Sequence, residues 1–150
     1  MALIDAAMRV LHVAFAGIWT GSVLLVTVAV LPTAQTGTIG PDALAAVMDR
    51  FTSLSRLSVL VLLLTGGYMA GTSYTAETLL SQPSGHLVLT MLVLWFVLAA
   101  LVEVGASRVS DGVSAQKVRT PAAEARPFFL AGAVVSLLLL VDAGLLASSV

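Results

Sequence analysis

Residues 85–106 read GHLVLTMLVLWFVLAALVEVGA, 22 positions with a single formal charge, Glu103. A helix needs roughly 20 mostly apolar residues to cross a hydrocarbon layer about 30 Å thick, and this stretch meets that length. The strict polar/apolar alternation of a membrane β-strand is missing from it. A helix closes its own backbone hydrogen bonds, which lipid cannot do for it. Three further stretches read the same way: 6–31, uncharged after Arg9; 51–72, with Arg56 near its start; and 127–149, interrupted by Asp142. The expectation is an all-α integral membrane four-helix bundle, a single domain over residues 1–150, with spans at about 6–31, 51–72, 85–106 and 127–149.

Composition agrees. The chain is 59% hydrophobic and 10% charged, with a mean hydropathy of +1.05. A water-facing domain carries about 25% charged residues, and a disordered chain is poor in apolar ones. A net charge of -1 excludes the basic balance of a nucleic-acid binder. Cys is absent, which removes disulfides, thiolate metal sites and cysteine nucleophiles together. The first apolar run is too long for a signal-peptide core, and Asp5 stands where a basic segment is expected. No Ser/His/Asp order, paired intramembrane carboxylates or phosphate-cradling loop occurs, so the chain is not read as an enzyme.

The connections supply the orientation. Gly37, Gly40 and Pro41 mark a turn, and Pro41 suits the first turn of a helix that protrudes from the bilayer before the second span. Thr120-Pro121 reads as an N-cap followed by a favoured proline. Arg50, Arg56, Arg108, Lys117, Arg119 and Arg126 flank the first–second and third–fourth connections; Arg9 is alone on the other side. Positive charge stays in the cytoplasm. The segments 32–50 and 107–126 are therefore expected to be cytoplasmic, with both termini outside the cell membrane. Gly17/Gly21 and Gly67/Gly71 have the four-residue spacing that lets membrane helices approach closely.

With that topology His12, His86 and Asp142 fall in the outer third of the bundle, since each residue advances a helix by about 1.5 Å. Met8 shares the His12 face one turn away, and Met69 and Met91 enrich the same layer. Imidazole suits copper and haem iron, and thioether suits Cu(I). His12, His86, Met8, Met69, Met91 and Asp142 are thus candidate metal ligands. Two alternatives stand beside ligation for Asp142: an ion pair with Arg9, or a hydrogen bond that orients His12. His12, His86 and Trp19 are the candidate contacts of a haem, with Trp19 two turns deeper on the His12 face. Arg56 either pairs with Glu103 or snorkels to the headgroups.

Several motifs resemble a known family. Arg50-Phe51-Thr52-Ser53-Leu54-Ser55 followed by Leu64-Thr65-Gly66 resembles the opening of the CopD-type copper resistance domain, and Gly85-His86-Leu87-Val88-Leu89 is similar to the start of its next helix. His12 with Trp19-Thr20-Gly21 resembles the first helix of such proteins and of the HemJ-type four-helix haem-binding proteins. The resemblance spans about residues 11–147. It implies a polytopic bundle linked to copper uptake or tolerance, and haem binding for the HemJ-like relatives. The pattern departs at Met91, where CopD-type domains carry a Lys, and at Leu130-Ala131-Gly132, near which they carry a Glu.

The leading expectation is a CopD-like protein that binds or passes copper through an outer His/Met layer. A b-type haem protein, with His12 and either His86 or Met91 as axial ligands, is the alternative. A non-catalytic subunit of a larger membrane complex is a third reading. Lipid is the expected surroundings in all three, and a homo-oligomer is compatible with each.

Overall fold

A computed structural model describes residues 2–148 of the chain. Four long helices run Ala2–Gln35, Pro41–Ser73, Pro83–Ser114 and Arg119–Ser148, and each is apolar enough to cross a membrane. A short helix, Ala76–Ser81, links the second to the third. No strand occurs among the described residues. The chain is a multi-pass membrane protein.

Neighbours in sequence pack antiparallel, and the fourth helix returns against the first. Both described ends therefore lie at one end of the bundle, here the terminal end. The other end carries the two connections whose flanking helices hold Arg50, Arg56, Arg108, Arg119 and Arg126. Trp19 with Ser55, Arg56 with Glu103, Gly105 with Phe129 and Thr27 with Phe129 mark the four seams in turn.

The helices are longer than the apolar stretches. The fourth has 30 residues, about 45 Å of helix, and begins at Arg119 rather than near residue 127. Thr120 is accordingly inside it rather than capping it. The third continues to Ser114. Charges in 107–126 mark the exit from lipid and not the end of the helix. Past that exit, Val109, Val113, Ala122 and Ala125 are buried between the two helices. The expected early start of the second helix at Pro41 is present, with Gly40 as its N-cap.

The first helix contains a widened turn, Val26–Val30, in which the Leu31 N–H bonds Val26 O five residues back. Pro32 explains it: the ring has no N–H and crowds the carbonyl four residues earlier, Val28. The Thr27 hydroxyl donates within this turn to Val23 O at 2.7 Å and also reaches Phe129 O at 3.1 Å. The perturbed segment is thereby fastened to the fourth helix.

The core is concentrated towards the arginine-rich end, around Trp19, Val26, Leu44, Phe51, Val102 and Phe129. Phe51 and Phe129 meet there at a centroid distance of 5.6 Å. Between Ala2 and Ile18 no side chain is buried; Met8, His12, Phe15 and Ala16 are half-buried. The terminal half is thus the looser half. The expected close contacts at Gly17/Gly21 and Gly67/Gly71 are not made within the chain: a Cβ at any of the four would meet nothing within 4 Å. Close approach falls on other glycines. A Cβ at Gly105 would lie 2.8 Å from Phe129, and one at Gly112 would lie 2.3 Å from Pro121.

Candidate metal site at the terminal end

His12 faces the second helix. Its Nδ1 lies 2.8 Å from Thr65 Oγ1, and Thr65 is buried. The Thr65 hydroxyl sits 2.7 Å from Val61 O, which can only accept. A hydroxyl has one proton, so when Thr65 donates it to Val61 the bond to His12 is donated by Nδ1–H. The neutral ring then carries its lone pair on Nε2, and among the described residues nothing hydrogen-bonds that atom. Gly66 gives the ring its seat, since a Cβ there would stand 3.0 Å from His12 Cε1.

Further towards the terminal end, two turns from His12 on the first helix, the same seam is tied again. Tyr68 Oη donates to Asp5 Oδ1 at 2.9 Å. Asp5, Met8 and His12 lie on one face of the first helix, and Thr65 and Met69 on one face of the second. Met8 therefore sits between the two ties, and Met69 lies one turn beyond Thr65. Both are half-buried. By helix spacing, Met8 and Met69 stand on the faces of the first and second helices that carry His12 and Thr65.

The fourth helix is placed by Gly132, where a Cβ would touch Leu98 at 3.5 Å and Val23 at 3.8 Å. Ten residues towards the terminal end, about 15 Å, lead to Asp142 on the fourth helix, to Val13 on the first and to Val88 on the third. His12, Met91 and Asp142 thus share one level within about a turn. Asp142 is only 6% exposed, and its Oδ2 has no hydrogen-bond partner. Neither alternative expected for it is seen. Thr65, not Asp142, orients His12, and the only ion pair among the described residues is Arg56–Glu103.

His86 is near the same level but turned away. It is exposed, and its Nε2 lies 2.7 Å from Leu80 O, so that nitrogen donates to the connection between the second and third helices. No group of three or more His, Asp or Glu side chains arranged for a metal occurs among the described residues; His12, His86 and Asp142 do not form one. Trp19 is 2% exposed and donates from Nε1 to Ser55 Oγ at 2.8 Å. It packs in the core. His86 is thus turned to the connection through Nε2, and Trp19 is enclosed.

At the other end Arg56 meets Glu103 through both guanidinium Nε, at 3.4 Å, and Nη2. Both side chains are more than half exposed, so the pair clamps the second helix to the third from outside. Asp5, Thr65, Gly66 and Tyr68 are not among the ligands expected from the sequence. The signal was partly there: Thr65-Gly66 belongs to the quoted Leu-Thr-Gly motif.

Compared with known families, residues 45–146 match the model described as Copper resistance protein D. That stretch takes in the third long helix and most of the second and fourth, with Thr65, Gly66, Met69, Met91 and Asp142; His12 and Met8 precede it. No curated protein matches, and no solved structure does.

Proposed function

Because the chain belongs to the CopD copper resistance family, we propose that it binds copper as Cu(I) in the terminal half of the bundle and hands it on across the membrane. His12 is the principal ligand through Nε2. Met8 and Met69 are its partners at the same seam, and Met91 lies at the same level on the third helix. One observation carries this reading: the bond between His12 Nδ1 and Thr65 leaves the Nε2 lone pair on a seam otherwise furnished with thioethers.

The chemistry is consistent. Cu(I) prefers soft sulfur and imidazole donors. Neutral ligands leave one positive charge in the site, which the Asp142 carboxylate can balance from the fourth helix. The Lys/Arg distribution favours an outer position for the terminal end, so copper would be met on the outer side. The loose packing around His12 suits a cargo that must enter and leave, whereas a buried structural site would hold it.

Purified protein in detergent should bind one Cu(I) in competition with a chromophoric chelator, and His12→Ala should abolish it. A preparation that takes up no copper under reducing conditions would remove the proposal. Retention of full affinity in His12→Ala would move the site elsewhere.

A further inference from the structure

At the arginine-rich end, an open groove of about 600 Å³ is lined by Gln35, Arg119, Thr120, Ala123 and Arg126. We infer that it binds the phosphate of an anionic lipid headgroup. Arg119, Ala123 and Arg126 share one face of the fourth helix at spacings of four and three. No carboxylate lines the groove, and neither arginine has an ion-pair partner among the described residues.

Both guanidinium groups lie against the end of the first helix and the turn that follows it. Gln35 accepts from Arg126 Nη1 at 3.4 Å and donates to Ala122 O at 3.5 Å. Arg119 lies against Gly37, whose φ is +75° and where a Cβ would fall 2.6 Å from Arg119 Nε. Gly37 thus gives both the left-handed turn and the room for Arg119. Most of the ten N–H donors of the two arginines remain available, in the planar geometry that matches phosphate.

The depth favours a lipid. Arg126 adjoins the apolar run that starts at about residue 127, and Arg119 stands about 10 Å further out. The two bracket the headgroup layer. Basic pockets between helices on the cytoplasmic side hold anionic headgroups, and the charge distribution puts this end there. The inference does not depend on copper binding.

The test uses the full chain in detergent, titrated with dioleoyl phosphatidylglycerol, with dioleoyl phosphatidylcholine or with inorganic phosphate, and read by thermal unfolding and native mass spectrometry. Phosphatidylglycerol should raise the unfolding temperature more than phosphatidylcholine does. Arg119→Gln/Arg126→Gln should weaken its binding about tenfold or more. Arg108→Gln/Lys117→Gln, on the opposite side of the fourth helix, should leave it unchanged and serves as the folded control. Equal responses to the two lipids, an equal loss in the control, or stabilisation by inorganic phosphate that matches the lipid would each overturn the inference.

Discussion

His12 on the first helix and Thr65 on the second, 53 positions apart, meet at 2.8 Å between Nδ1 and Oγ1. The contact turns a common membrane threonine into the group that selects a histidine tautomer. Groups that orient a metal-binding histidine typically matter 10- to 100-fold in affinity. Thr65→Val keeps the shape and removes the hydroxyl, and is expected to weaken Cu(I) binding by about that factor. Thr65→Ser should retain it. Competition titration reads both, and unchanged affinity in Thr65→Val would leave the threonine a purely structural role.

Glycine positions separate tight seams from open faces. Gly112→Ala would drive a methyl group into Pro121 and should cost about 1–3 kcal/mol. Gly17→Ala and Gly67→Ala meet open space and should be neutral, or stabilising by up to about 1 kcal/mol through helix propensity. Thermal unfolding of the three variants in one detergent checks the ordering. A large loss at Gly17 would reveal a contact supplied by a second copy.

Asp142 is buried with an unpartnered Oδ2. Such a group costs about 1–3 kcal/mol. Asp142→Leu is therefore expected to stabilise the fold while weakening Cu(I) binding, because the counter-charge is lost. Unfolding and copper titration on one preparation separate the two effects. A destabilised Asp142→Leu would show that the carboxyl holds the bundle together.

Topology can be read without background, since the chain has no cysteine. A single cysteine replacing Glu77, in the short connecting helix, should react with an impermeant maleimide in intact cells. One replacing Asp111, at the far end of the third helix, should react only after permeabilisation. The reverse pattern would invert the bundle and place the His12 seam on the cytoplasmic side.

Much of the architecture was legible in the chain. Four apolar runs, with no period-two alternation, leave helices as the spanning elements, and their number gives an up-down bundle with both ends together. The helix ends were less legible. Residues 107–126 look like a loop because they are charged, yet the third and fourth helices extend into them from both sides, and Val109 and Ala122 are buried there. Hydropathy reports where lipid ends, and backbone hydrogen bonding continues past that point. The glycine pairs misled for a related reason: spacing states which residues share a face, not which neighbour that face receives.

The same division runs through the site. Sequence by itself determined the solvent, the span count and the depth of His12, Met91 and Asp142, because depth follows from position along a helix of constant rise. Only the tertiary structure decided direction. It turned His12 onto Thr65, His86 onto the Leu80 carbonyl, and Trp19 into the core against Ser55. Rotation of a helix about its axis is set by how its side chains fit those of its neighbours, and that fit is a property of pairs of segments which no single segment contains.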